Sequence, residues 1–431
     1  MKFVAEACAA EPGRGSGDAF VHRICVDSRQ ARAGDLFFAI KGEHFDGHDF
    51  LDEVAARGVA AVVVERGKVP GRPPGCAMLV VDNARAALGR LAAAYRREFD
   101  LPVICVGGSN GKTTVKELIA SALGQKLATL WSEASFNNDI GVPLTLLRLK
   151  KSHQAAVLEA GTNHPGELAP LVKMIQPKYG VITNIGREHL EFFGNIAGVT
   201  QEEGRLGELL PAAGRLYVNG DNEWTEQIAR RTRATVVRVG IGERNDWRAK
   251  GIRLDKSGVT FCVDAPNVGF SGEYRVNLLG RHQVVNALLA VAVSEELGLG
   301  RPAVRDGLAE CKPAKMRLQF WEAAGVRVLD DAYNANADST IAALETLCEL
   351  PWQGRRVAVL GDMAELGAQS EAAHAEVGRR AAELGIGQLF AVGKMAPVTA
   401  AAARAAGLNR VIEFGDVEAA VNAVKSFLKA G

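Results

Sequence analysis

The stretch Val103-Ile-Cys-Val-Gly-Gly-Ser-Asn-Gly-Lys-Thr-Thr114 decides how this chain is read. Val103 to Val106 is a short apolar run, the pattern of a buried strand. Gly107 and Gly108 turn the chain. Beyond them, apolar residues recur at Val115, Leu118, Ile119, Ala122 and Leu123, the spacing of one helix face. Strand, glycine turn, Gly-Lys-Thr and helix, in that order, make a phosphate-binding loop. Such a loop aims backbone N–H groups and a helix N-terminus at an anion. Gly108, Ser109, Asn110, Gly111, Lys112, Thr113 and Thr114 are therefore the candidate nucleotide contacts. Lys112 can reach the outer phosphates and Thr113 can ligate Mg²⁺. The longer form of the motif starts with a glycine where this chain has Val106, so the shorter Gly-Ser-Asn-Gly-Lys-Thr-Thr form is the one present.

The rest of the composition fits an ordinary multidomain α/β protein. The chain has 431 residues, enough for two to four domains, and 48% of them are hydrophobic. Fifty-one Lys and Arg balance 50 Asp and Glu, a net charge of +1 that gives no reason to expect a nucleic-acid or membrane-surface partner. No apolar run is long enough for a membrane span. The start, Met1-Lys-Phe-Val-Ala-Glu, turns acidic too soon for a signal peptide. The seven scattered cysteines contain no Cys-x-x-Cys and read as reduced core thiols. A cytoplasmic location is expected.

Three units follow from the pattern. Residues 1–98 hold short strands at Ile24–Arg29, Asp35–Ile40 and Ala60–Glu65, helices at Phe50–Arg57 and Ala84–Phe99, and a loop over Gly67–Gly75. The polar, glycine-punctuated segment Lys41–Asp49 is either a solvated turn or a small-molecule contact loop. Residues 99–310 form a parallel sheet around the phosphate loop. Here Val157–Gly161 is a strand ending near Glu159, an acid placed where a Mg²⁺ partner is expected. His189 lies just past the strand Gly180–Asn184, and Arg215–Asn219 is a further strand. Residues 247–279 alternate polar and apolar and read as an antiparallel ribbon added to this core. His282 and Asn286 share one face of the helix over 280–293. In residues 311–431, strands at Val326–Asp331, Arg356–Gly361, Leu389–Gly393 and Val411–Phe414 alternate with helices at about 339–349, 371–384, 396–406 and 417–429, the plan of a Rossmann-like, doubly wound parallel sheet. The expected fold class is α/β in three domains.

Polar clusters sit on all three units: Asp27-Ser-Arg29, the phosphate loop, and Asp330-Asp-Ala-Tyr-Asn-Ala-Asn336. Ligands bind at the C-terminal edges of parallel strands, so three such edges suggest a large substrate, a nucleotide and a third ligand. A phosphate loop alone also fits kinases, GTPases and ATPases. No Asn-Lys-x-Asp motif is present, which counts against a GTPase.

These residues, taken together, resemble the ATP-dependent Mur ligases of peptidoglycan synthesis over nearly the whole chain. The stretches that carry the likeness are Asp27–Arg29, Gly42–His48, Gly108–Thr114, Phe136–Pro143, Glu159–Glu167, Asn184–Leu190, Gly280–Asn286, Arg317, Asp330–Asn336 and Leu360–Leu366. Phe136-Asn-Asn-Asp-Ile-Gly-Val-Pro143, Asn163-His-Pro-Gly-Glu167 and Tyr333-Asn-Ala-Asn336 point to the branch that adds D-alanyl-D-alanine to a UDP-N-acetylmuramoyl-tripeptide.

The resemblance implies a reaction through an acyl phosphate, with ATP and Mg²⁺ as cofactors and ADP and phosphate as products. It implies Mg²⁺ ligands at Thr113, Glu159 and His189, and ATP contacts at Lys112, Arg317, Asp331, His282 and Asn286. Asn137, Asn138 and Thr162 would touch the muramoyl-peptide. Asp27, Ser28, Arg29, Gly42, Asp46, Gly47 and His48 would hold the UDP end. Tyr333, Asn334 and Asn336 would lie near the incoming dipeptide. A monomer is expected.

Two departures stand out. Many relatives carry a carbamate-modified lysine where Val199-Thr-Gln-Glu-Glu-Gly204 places Glu203. This acid either assists a second Mg²⁺ or is an exposed helical acid beside Glu202. Relatives usually carry Thr where this chain has Gly107, which should loosen the loop's entry. The competing readings are another Mur-type amino-acid ligase, a folate-glutamate ligase, a phosphate-loop kinase and a non-catalytic nucleotide-binding scaffold.

Overall fold

A computed structural model describes residues 1–12, 20–69 and 75–428. The phosphate-loop strand Val103–Gly107 is buried throughout and pairs in parallel with Ala155–Glu159 on one side and Tyr179–Ile182 on the other. Its unbroken apolar character follows from being covered on both faces. The sheet runs Thr129–Trp131, Ala155–Glu159, Val103–Gly107, Tyr179–Ile182, Arg215–Asn219, Thr235–Gly240, Trp247–Leu254, Val259–Asp264 and Gly272–Val276. It is parallel as far as Trp247–Leu254 and antiparallel beyond, so the expected ribbon is present and continues the main sheet. The helices Lys112–Gly124 and Gln283–Glu296 share its core. Val115, Leu118, Ile119, Ala122 and Leu123, the face read from the sequence, are all buried there.

The chain divides into two compact units. One comprises Met1–Leu101, Ser135–His153 and Pro170–Gln176; the other comprises Pro102–Ala134, Gln154–Ala169 and Pro177–Gly431. In the first, parallel strands Arg23–Cys25, Asp35–Phe38, Ala61–Glu65 and Ala77–Val81 form a sheet that Glu11–Pro12 joins antiparallel. Helix Ala84–Arg96 covers it, with Ile140 and Leu147 packed against the same core.

The structure departs from the sequence expectations at several elements. The strand expected over Ile24–Arg29 stops at Cys25, because the Asp27 carboxylate accepts the Arg29 N–H at 3.1 Å and turns the chain into a 3₁₀ segment. Val326–Asp330 is not part of the C-terminal parallel sheet. It pairs antiparallel with Gln319–Ala323 across a two-residue turn, Ala324-Gly325, in which both residues have positive φ. The parallel sheet there has three strands, Val357–Leu360, Gln388–Val392 and Val411–Phe414, in sequential order. Strands Ala77–Val81, Thr129–Trp131 and Thr235–Gly240 had no sequence expectation. Of the loop expected over Gly67–Gly75, residues 70–74 lie outside the described residues, as does position 429 of the last expected helix. Among the described residues, no helix is long and apolar enough to cross a membrane.

Candidate active site

The phosphate loop is fixed by partners distant in sequence. Gly108 N–H donates to Glu203 Oε2 at 2.6 Å. Ser109 N–H donates to the Asn184 carbonyl and Asn110 N–H to Asn184 Oδ1, both at 2.8 Å. Thr183 Oγ1 donates to the Asn110 carbonyl at 2.6 Å. Gly108 has φ 108°, and a Cβ there would lie 2.5 Å from Thr183 Oγ1, so only glycine fits. These amides are thus committed within the protein. The first helical bond runs from Val115 N–H to the Gly111 carbonyl. Lys112, Thr113 and Thr114 therefore have N–H groups with no intrahelical acceptor, and these are the donors an anion would meet.

Lys112 Nζ donates to the carbonyls of Gly108 (2.6 Å) and Ser109 (2.9 Å) and stands 3.4 Å from Glu188 Oε2. Burial alone would lower its pKa; Glu188, Glu203 and Glu159 outweigh that and hold it above the ordinary lysine value. The ammonium therefore stays charged at the loop it serves. Glu203 is pushed up to about 7, first by burial, with Lys112 opposing and Glu188 adding to the shift. Glu203 is not the exposed helical acid that was one alternative: it is 1% exposed and faces the loop.

The donor set suits Mg²⁺. Thr113 Oγ1 is buried and has no hydrogen-bond partner among the described residues. Glu159 is buried at the end of its strand, and its N–H donates to Ser132 Oγ at 3.2 Å. Among the described residues, no three His, Cys, Asp or Glu side chains converge as a metal cage. An ion held by a hydroxyl and a carboxylate would complete its shell with water and phosphate oxygens, as Mg²⁺ commonly does.

His189 sits in the left-handed region (φ 50°) ahead of the short helix Leu190–Phe193. Its Nδ1 bonds to Glu365 Oε2, and the Glu365 carbonyl accepts the Glu191 N–H at 2.9 Å. With Nδ1 held, Nε2 faces Glu188 at 3.9 Å. A carboxylate that orients a histidine in this way is the usual support for a metal-binding imidazole.

The C-terminal part of the same unit meets the loop directly. Asn336 caps helix Ala337–Glu349, and its Nδ2 donates to Asn110 Oδ1 at 2.9 Å. Arg187 bonds Asp338 and Glu376 with its guanidinium. The Arg317 guanidinium lies 4.2 Å from the centre of the Tyr333 ring. Asp331 Oδ1 accepts the Leu318 N–H at 3.0 Å, and burial pushes its carboxyl up to about 6. Asn334 is exposed, its Oδ1 accepting the Ala335 N–H. Asn286 packs against the loop, such that a Cβ at Gly111 would lie 2.9 Å from Asn286 Oδ1. His282 precedes it by one helical turn. Thr162 Oγ1 donates to the His164 carbonyl, within a loop whose Gly166 and Leu168 N–H groups bond the Glu202 carboxylate.

In the first unit, Asp27 pairs with Arg29 beside Ser28. The Gly42–His48 loop closes on itself. Gly42 N–H reaches the Phe45 carbonyl, and Gly47 lies so close to Ile40 and Ala39 that a Cβ would clash. His48 Nε2 accepts the Glu65 N–H, so Nδ1 carries the proton and donates to Asp46. Asn138 Oδ1 accepts the N–H groups of Ile140 and Gly141, and Asn137 adjoins it.

Asn184, Glu188, Glu202 and Glu365 have no role that sequence pattern assigns. All four lie inside stretches already noted, and their function depends on partners brought together only by the fold.

Family models match along the chain: a Mur ligase family catalytic domain over residues 20–96, a Mur ligase middle domain over 106–294, and a Mur ligase glutamate ligase domain over 316–431. A relative from Escherichia coli (strain K12), named UDP-N-acetylmuramoyl-tripeptide–D-alanyl-D-alanine ligase, is 40% identical over 88% of this chain and 82% of its own. The chain is a Mur ligase. This Mur ligase is also 34% identical, over 87% of its length and 80% of the other's, to a Bacillus subtilis (strain 168) relative of the same name. Its fold matches a crystal structure of MurF from Acinetobacter baumannii with a TM-score of 0.89 at 33% identity, covering 99% and 92% of the two chains. A MurF ligase from Thermotoga maritima in complex with ADP matches with a TM-score of 0.81 at 26% identity, covering 96% and 93%.

Proposed function

We propose that this Mur ligase joins D-alanyl-D-alanine to UDP-N-acetylmuramoyl-tripeptide in peptidoglycan synthesis, cleaving ATP to ADP and phosphate. The observation that carries the reading is the Asn336–Asn110 hydrogen bond of 2.9 Å. It brings the Tyr333-Asn-Ala-Asn336 segment, the candidate amine side, onto the loop that would hold the phosphoryl donor. A kinase or a scaffold has no need of that juxtaposition. The names of the full-length relatives and the ADP complex of a structural neighbour support the same reading.

The chemistry begins with a difficulty. A carboxylate must attack a triphosphate, anion against anion. Lys112 and the N–H groups at the start of its helix supply positive charge where the transferring phosphoryl becomes more negative. Arg317 would add charge from the C-terminal domain, and Asp331 would take the ribose hydroxyls. The terminal carboxylate oxygen bonds to the γ-phosphorus as ADP leaves. The dipeptide amine then attacks the acyl carbon, and the tetrahedral adduct expels phosphate and a proton to give the amide. Thr113 and Glu159, with His189 towards a second ion, are the residues that would hold Mg²⁺, which would neutralise phosphate charge.

Asn137, Asn138 and Thr162 are assigned to the muramoyl-peptide, Asp27, Ser28, Arg29 and the Gly42–His48 loop to the UDP end, and His282 and Asn286 to the adenine side. Domain limits at 1–98, 99–310 and 311–431, a monomer and a cytoplasmic location complete the proposal. The test incubates the protein with ATP, Mg²⁺ and UDP-muramoyl-tripeptide, with and without D-alanyl-D-alanine, and follows phosphate and product mass. Phosphate release that ignores the dipeptide, with no new product, would overturn it.

A further inference from the structure

Helix Ile196–Glu208 carries two adjacent buried acids, and they reach opposite loops. Glu202 binds the N–H groups of Gly166 (2.9 Å) and Leu168 (2.8 Å) beside Thr162. Glu203 binds the N–H of Gly108, the first amide of the phosphate loop. Gly107 explains how Glu203 gets there. A Cβ at position 107 would lie 3.0 Å from Glu203 Oε2 and 3.3 Å from Leu206 Cδ2, tighter than ordinary contact, and a branched side chain would be worse. The two departures from the family pattern are far apart in sequence and touch in space.

We infer that Gly107 and Glu203 are one coupled device: Glu203 is a positioning residue that pins the Gly108 peptide, and Gly107 is the residue that makes room for it. The pinned amide matters because the carbonyl of the same residue, Gly108, accepts from Lys112 Nζ at 2.6 Å, and the Gly108 φ is fixed against Thr183. Releasing the N–H would leave a buried donor unpaired and let the loop turn away from the geometry that presents Lys112 and the helix amides. This rests on the loop being the nucleotide site, and it assigns Glu203 a role that does not need a metal ion.

The test measures ADP affinity by calorimetry, first in Mg²⁺-free buffer with chelator and then with Mg²⁺, together with KM for ATP and for the tripeptide substrate. Glu203→Ala and Gly107→Thr should each weaken Mg²⁺-free ADP binding about tenfold, whereas Glu203→Gln, whose amide oxygen can accept the same bond, should stay within about threefold. The double variant Gly107→Thr with Glu203→Ala should be no worse than the worse single change, because both break the same contact. KM for ATP should rise and KM for the tripeptide should not. Additive losses would overturn the coupling. Equal damage from Glu203→Gln and Glu203→Ala, seen only with Mg²⁺ present, would overturn the positioning role in favour of a metal ligand. Should Glu203→Ala lose its fold in urea titration, Gly107→Ala decides. It should weaken ADP binding beside Glu203 but not beside the shorter Glu203→Asp, and a loss in both backgrounds would sink the idea. The ligase reading stands or falls separately, on dipeptide-dependent product from the unmodified protein.

Discussion

Two loops of this Mur ligase are each organised around one acid, and the two acids are held in opposite ways. Asp46 pins the Gly42–His48 loop of the first unit through neighbours close in sequence, His48 and, farther along, Lys68. Burial would raise its pKa, but those partners outweigh it and bring the carboxyl down to about 2. Glu203 pins the phosphate loop through a backbone amide 95 residues away. Its surroundings are dry and contain a second acid, Glu188, so its carboxyl rises to about 7 even with Lys112 nearby. Local pairing makes a permanently charged clamp; long-range burial makes one whose charge is costly.

The comparison breaks most sharply at catalysis. Lys112→Met should lower kcat/KM on the order of 10³-fold, because it removes charge from the transferring phosphoryl itself. Asp46→Asn should leave kcat near the original and raise KM for the UDP-linked substrate about tenfold, since it loosens a loop proposed to hold the substrate without touching the reacting atoms. Steady-state kinetics with each substrate varied would separate the two. A kcat loss in Asp46→Asn comparable to that in Lys112→Met would erase the distinction.

A middle-sized effect is expected at His189. Glu365→Gln weakens the hold on Nδ1 while leaving the size unchanged. It should raise the Mg²⁺ concentration needed for half activity by about tenfold, in the range seen when the support of a metal-binding histidine is lost. Unchanged Mg²⁺ dependence would remove His189 from the ion's neighbourhood.

These examples also show what was legible beforehand. The strand, turn and helix around Lys112 follow from local pattern, and so does the helix face from Val115 to Leu123. The hairpin Gln319–Asp330 is not legible in the sequence, because its turn, Ala324-Gly325, lacks the Asn or Asp that usually marks two positive-φ residues. The strand at Ile24 is shorter than its pattern, because Asp27 reads as a polar strand position but accepts the Arg29 N–H and turns the chain. At the site, residue types could be listed from the sequence, but Glu365 against His189, Asn336 against Asn110 and Glu203 against Gly108 are pairings of distant segments that no local period encodes.

The smallest effect is on stability, and its sign differs between the two loops. Glu203 and Asp331, at about 7 and about 6, bind protons more readily folded than unfolded. Their stabilising contribution is full below about pH 4 and is lost as the pH rises through 6 to 7. Asp46, at about 2, contributes above about pH 4 and loses that contribution as the pH falls towards 2. Urea midpoints across pH should therefore show Glu203→Gln flattening the fall between pH 4.5 and 7 (roughly the interval between free and buried carboxyl), while Asp46→Asn flattens the acid side. Curves parallel to the unmodified protein in both cases would contradict the assigned environments.

The central claim is that the phosphate loop serves to make an acyl phosphate from the substrate's own carboxylate. The direct test supplies UDP-muramoyl-tripeptide labelled with ¹⁸O in its terminal carboxylate, together with ATP, Mg²⁺ and D-alanyl-D-alanine, and weighs the released phosphate. The account predicts one ¹⁸O atom carried into phosphate for each amide bond formed. Unlabelled phosphate accompanying the amide product would contradict it.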